Sequence, residues 1–141
     1  MRTVLAHGVF DVLHIGHIRL LRQARSLGDE LVVSLLSDRY VRKYKGSSRP
    51  VHTLAQRMEQ ITELRSVDRV VVVDGPGHEA VQEMIEAVRP AVYVKGAATR
   101  GTFGEEEFVK KRGIELVYVD MVPNAESTAS STGILQRIFA A

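Results

Sequence analysis

The chain has 141 residues, 45% of them hydrophobic and 26% charged, with a formal net charge of +2 and no cysteine. That length suits a single domain, 1–141, with a proper core, and the missing cysteines exclude a disulfide scaffold, thiolate-bound zinc and a cysteine nucleophile. The small, dispersed basic surplus argues against nucleic acid as a partner, and no apolar run reaches membrane-spanning length, so no membrane partner is expected.

In chain order, "TVLAHGVF" (3–10) is a β-branched run that predicts a first strand. A helix is expected over 17–27, with Leu20, Leu21, Ala24 and Leu27 on one face and Gly28 after it as a C-terminal cap. "ELVVSLLS" (30–37) predicts a second strand. The polar, basic "DRYVRKYKGSSRPVH" (38–52) carries Gly, Ser and Pro and reads as a long, partly mobile loop. Thr53 and Gln56 have capping-box spacing and open a helix that runs through Met58, Ile61 and Leu64. A third strand (69–74) and a third helix (78–88, stopping before Pro90) follow. The fourth strand (91–96) leads into the loop "GAATRGTFG" (96–104), then a helix over 105–112 with Gly113 behind it. A fifth strand (115–120) and the helix "STGILQRIFA" (131–140) end the chain.

Strand and helix alternating in this way predict an α/β fold, a doubly wound, five-stranded parallel Rossmann-like sheet with helices on both faces. Ligands of such sheets sit beyond the carboxyl ends of the strands, where the loops 38–52 and 96–104 both begin. The turn "DVLHIGH" (11–17) lies there too. Backbone N–H groups and the positive end of the first helix dipole would favour an anion at that turn. His14 and His17 would add imidazole donors, and Gly16 would let a phosphate approach the backbone. Two other readings compete: a metal site of His7, His14 and His17, and histidines that are merely packed. "HIGH" lacks the i,i+4 pair and glutamate of a metalloprotease helix, so no metal ligands are assigned, and His7 reads as a strand residue.

Four blocks then point to a family. "GVFDVLHIGHIRLLRQARSLGDELVVSLLSD", "YKGSSRPVHTLAQRMEQITELRSVDRVVV", "VYVKG" and "SSTGILQRI" resemble, in the same order, those of the cytidylyltransferase-like nucleotidyltransferases, whose signature is HxGH. The resemblance implies a cytoplasmic enzyme of the nucleotidyltransferase type, homodimeric, using Mg²⁺ bound through the nucleoside triphosphate. It implies catalytic roles for His14, His17 and Lys45 at the reacting phosphates. Gly8, Val9, Phe10, Gly16, Lys95, Gly96, Ser131 and Thr132 would bind nucleotide, and Asp11 and Arg57 would bind substrate. Arg100 and Arg137 are weaker candidates, and Ser127 or Ser130 could replace Ser131. The expected reaction is CMP transfer from CTP to a small phosphorylated alcohol or hydroxyalkylphosphonate, with release of pyrophosphate. The alternatives are adenylyl transfer from ATP to a sugar (heptose) phosphate and, more distantly, adenylylation of riboflavin phosphate or a non-catalytic nucleotide-binding domain. Both main branches of the family carry an aspartate soon after the "VKG" glycine. Here the sequence reads "GAATRG", which bears on the acceptor more than on the chemistry.

Overall fold

The β-branched runs become five strands of one parallel sheet: β1 (Thr3–Gly8), β2 (Glu30–Leu36), β3 (Arg69–Val73), β4 (Val92–Gly96) and β5 (Glu115–Val119). The computed structural model describes residues 1–100, 104–120 and 131–140. Around the sheet lie α1 (Ile15–Ser26), α2 (Asp38–Lys45), α3 (Leu54–Thr62), α4 (Gly77–Val88), α5 (Glu106–Lys111) and α6 (Ser131–Ala140), with a 3₁₀ turn over Ala97–Thr99. No helix among the described residues is long and apolar enough to cross a membrane.

Strand order is β3-β2-β1-β4-β5. The chain builds outward from β1 in one direction through β2 and β3, then returns to the other side of β1 for β4 and β5. The reversal leaves a switch point between β1 and β4, where the crevice of such sheets opens. The unalternating apolar runs are explained by cover on both faces. Val4, Ala6, Leu31 and Val33 pack with Leu20, Leu21 and Ala24 of α1 and Ile61 of α3. Leu5, Val32 and Tyr93 pack on the other face with Val81, Met84 and Ile85 of α4 and Val109 of α5. Each fully buried Leu or Val contributes on the order of 1.5–3 kcal/mol, so the central strands hold the scaffold that positions the crevice.

Three expectations need correction. α1 starts at Ile15, not at 17, because His14 acts as its N-cap. Its C-cap is Leu27, and Gly28 is required by space rather than by a left-handed backbone: a Cβ there would lie 2.5 Å from the Arg2 carbonyl oxygen and 2.8 Å from Val4 Cγ2. The segment 38–52 is not all loop, since α2 occupies Asp38–Lys45. That helix buries only Val41, so it lacks the apolar periodicity by which a helix is recognised. It is held instead by Tyr40 and Tyr44 stacked at 6.4 Å, by Arg39 paired with Asp74 at 2.8 Å, and by the Tyr44 hydroxyl accepting from the Gly77 N–H at 2.7 Å.

Candidate active site

Between β1 and α1 the chain makes a strained turn. Phe10 and Val12 have φ of 51° and 52°, a region that L-residues enter at a cost of about 1–3 kcal/mol each and that a β-branched valine enters least readily. Gly8 leaves room for the turn, since a Cβ there would stand 3.0 Å from the Phe10 ring and crowd it. Two polar groups lock the conformation. The buried Asp11 carboxylate accepts from the backbone N–H groups of Val12, Val51 and His52 at 3.1, 2.6 and 2.9 Å, and from Arg49 Nε at 3.1 Å. Burial pushes that carboxyl up, but these donors outweigh it and hold it below the usual carboxylate range. Arg57, fully buried, donates from Nη1 to the carbonyls of Val9 and Leu36 at 2.9 Å each, from Nε to the His52 carbonyl at 3.1 Å, and from Nη2 to Asp38 at 2.8 Å.

The spacing of the two histidines in "HIGH" is that of a capping box built from imidazoles. His14 Nδ1 accepts from the Gly16 N–H at 3.0 Å, and His17 Nδ1 accepts from the His14 N–H at 3.3 Å. The rings lie 3.8 Å apart, and Phe10 stands 5.3 Å from His17. An Nδ1 that accepts from a backbone amide carries no proton, which leaves Nε2–H as the donor each ring offers. Burial lowers the His14 pKa and, with His14 and Lys45 nearby, brings His17 down to about 3. Both rings are therefore neutral donors at neutral pH in the free protein.

These groups line a cavity of about 410 Å³ at the switch point. Its walls include His7, Gly8, Val9, Phe10, Asp11, His14 and His17 from the β1 side, Lys45 and Arg49 from the segment after β2, and Lys95, Gly96 and Thr99 from the end of β4. Burial lowers the pKa of Lys95, against an opposing pull from Glu105. Burial likewise lowers that of Lys45, at the C-terminal end of α2. Positive charge thus comes from the lysines, Arg49 and the α1 dipole, while the imidazoles add directed N–H donors. Among the described residues no cluster of His, Asp and Glu forms a metal site.

Of the residues read from the sequence, His14, His17, Lys45, Gly8, Val9, Phe10, Asp11, Lys95 and Gly96 come together on this cavity. Gly16 sits just beneath it, buried in the first turn of α1 with its N–H already taken by His14. Arg57 does not reach the cavity wall; its guanidinium is spent on three carbonyls and Asp38, and it positions the turn rather than a ligand. Ser131 and Thr132 open α6, but their side chains, like those of Arg137 and of Ser127 and Ser130, lie outside the description. Arg100 stacks its guanidinium 4.1 Å over the Tyr118 ring. Three polar wall residues were not assigned from sequence as ligands: His7, whose Nδ1 is 2.7 Å from Ser34 Oγ and whose pKa burial lowers to about 3, Thr99, and Arg49. The position of His7 at the carboxyl end of the central strand is the signal that could have found it.

A family model described as cytidylyltransferase-like matches residues 5–137, nearly the whole chain. The chain belongs to the cytidylyltransferase-like family. Among curated relatives of this cytidylyltransferase-like chain, the bifunctional protein HldE of Koribacter versatilis is 42% identical over 138 residues, covering 96% of the chain and 27% of the relative. The bifunctional protein HldE of Salmonella arizonae is 39% identical over 141 residues, covering 97% and 28%. The chain therefore spans about a quarter of the length of the curated relatives it matches. Among solved structures, the lipopolysaccharide core biosynthesis protein of Thermoplasma volcanium superposes with a TM-score of 0.71 at 34% identity, covering 87% of this chain and 99% of that one. A protein of unknown function from Archaeoglobus fulgidus shares the fold, with a TM-score of 0.66 at 24% identity over 91% of this chain and 94% of the other. The family shown is that of an α/β nucleotidyltransferase-type enzyme.

Proposed function

We propose that this cytidylyltransferase-like chain transfers adenylate from ATP to a sugar phosphate of the heptose phosphate type, releasing pyrophosphate. The observation that carries nucleotidyl transfer is the imidazole capping box at the α1 N-terminus, set with Lys45 and Lys95 on one cavity and with no nucleophile-and-base pair among them. The preference for ATP and a sugar phosphate over CTP and a phosphorylated alcohol rests on the relatives, which are HldE proteins and a lipopolysaccharide core biosynthesis protein. The blocks "KGSSRPV", "QRM" and "VKG", similar to heptose-phosphate adenylyltransferases, favour it as well.

In this reading an acceptor phosphate oxygen attacks the α-phosphorus in line, the new P–O bond forms, and the bond to the bridging oxygen of the β-phosphate breaks. Pyrophosphate carries away the electron pair, and no covalent enzyme intermediate is needed. His14 and His17 donate Nε2–H to oxygens on the α-phosphate, whose charge grows in the transition state, and Lys45 neutralises it. The backbone of Gly8, Val9 and Phe10, with Lys95 and Gly96, borders the nucleotide; Ser131 and Thr132 at the start of α6 receive the β- and γ-phosphates. Mg²⁺ would arrive on the triphosphate rather than in a cage of the chain, because both oxygens of Asp11 already accept N–H groups. When bound, it neutralises phosphate charge. A homodimer is part of the reading.

The test is pyrophosphate release with ATP, CTP, GTP and UTP, each against a panel of sugar phosphates, glycerol 3-phosphate, riboflavin phosphate and hydroxyalkylphosphonates. ATP with a sugar phosphate should be the productive pair. Turnover with CTP and glycerol 3-phosphate instead restores the cytidylyl reading, and nucleotide binding with no release for any pair makes the chain a nucleotide-binding domain.

A further inference from the structure

We propose that Arg49 grips the phosphate of the acceptor, an assignment that rests on the nucleotidyl-transfer reading above and names the acceptor half of its site. Arg49 sits in the turn after α2, its side chain only 15% exposed, on the wall of the candidate-site cavity. It meets Asp11 through Nε alone, at 3.1 Å to Oδ2. Asp11 does not depend on it, because three backbone N–H groups already converge on that carboxylate. The contact instead fixes the plane of the guanidinium. Nη1 and Nη2, which carry four N–H donors, have no partner among the described residues. Neither Nη is among the buried polar atoms that lack a partner, so both reach open space, and a planar fork held at its Nε matches two oxygens of a phosphate monoester.

The sheet order says which phosphate. Lys45 and Arg49 follow β2, Lys95 and Thr99 follow β4, and β1 with the α1 N-terminus stands between. An in-line displacement needs the incoming oxygen and the leaving pyrophosphate on opposite sides of the α-phosphorus. Lys95 and Gly96, at the end of β4, are proposed to border the nucleotide. That leaves the β2 side, with Arg49, for the acceptor.

The experiment is calorimetric titration of the wild type, R49K and R49A with heptose 1-phosphate and separately with α,β-methylene-ATP, alongside KM for each substrate. Both variants should bind the sugar phosphate about ten- to a hundredfold more weakly, the lysine failing because it keeps charge but not the fork. The nucleotide analogue should bind within about twofold of wild type, which also shows that the variants are folded. Unchanged sugar phosphate affinity, or a loss confined to the nucleotide, overturns the assignment. If the wild type binds the nucleotide analogue but no sugar phosphate, the acceptor class is wrong. Inorganic phosphate titrated into the nucleotide-loaded protein then decides: its loss in R49K upholds Arg49 as the phosphate fork, and its retention overturns it.

Discussion

At the scale of single residues, the two histidines of "HIGH" do two jobs at once. Each Nδ1 finishes the start of α1, and each Nε2–H is left for a ligand. His17→Ala should therefore lower kcat by about 10²–10³, the usual cost of one lost donor at a developing oxyanion. It should cost only about 1 kcal/mol of stability, as a lost cap does. If urea denaturation shows a collapse while the activity of the remaining folded protein is normal, the histidine is structural. The neutral tautomer has its own check. Imidazole ¹⁵N shifts recorded from pH 8 to pH 5 should show His17 as the Nε2–H form throughout, since its pKa lies near 3. A titration near the ordinary value of 6.5 would contradict the burial that defines the site.

The same depressed values set an acid limit on stability. His7 and His17 have folded pKa values near 3 against 6.5 in the unfolded chain. The unfolded state therefore binds more protons between these values, and stability rises with pH across that window. It is complete above about 6.5 and lost progressively as pH falls toward 3. Urea midpoints should fall from pH 7.5 to pH 4.5, and a His7→Asn variant should show a shallower fall. Equal slopes would remove His7 from this explanation.

At the scale of elements, Arg57 ties together four points of the chain: the β1 exit at Val9, the β2 exit at Leu36, the α2 entry at Asp38 and the turn at His52. Arg57→Met should cost about 3–5 kcal/mol, because it strands buried carbonyls and removes the partner of Asp38. Arg57→Lys should not rescue it, having no fork to reach three carbonyls. Chemical denaturation of both variants measures this. The sequence could not reveal the role, since an arginine on a helix has the same letter whether it faces solvent or a buried turn. The strands were legible because sheets covered on both faces need uninterrupted Val and Leu, as in "ELVVSLL". The capping box of α3 was legible because Thr53 and Gln56 are common cap residues; the same box at α1 was not, because imidazoles seldom fill it. Helix α2 was missed because stacked tyrosines and an ion pair hold it, with one buried residue and no periodicity to read.

At the scale of the whole molecule, the sheet order sets the place of the candidate site. A parallel sheet that reverses direction beside β1 opens its crevice between β1 and β4, and cationic and imidazole donors from both sides of β1 meet there. The cavity-lining residues of "HIGH" and "VKG" were legible. Arg49 was not, because its turn is organised by a carboxylate 38 positions away in the sequence, Asp11. The central claim is that this cavity joins a nucleoside triphosphate to a sugar phosphate. Its most direct measurement is mass-spectrometric analysis of the products when the protein, ATP, Mg²⁺ and heptose 1-phosphate are incubated together. The account predicts one ADP-sugar and one pyrophosphate per ATP consumed, both absent with His17→Ala. Folded protein that yields neither product with any nucleoside triphosphate and phosphorylated acceptor would contradict it.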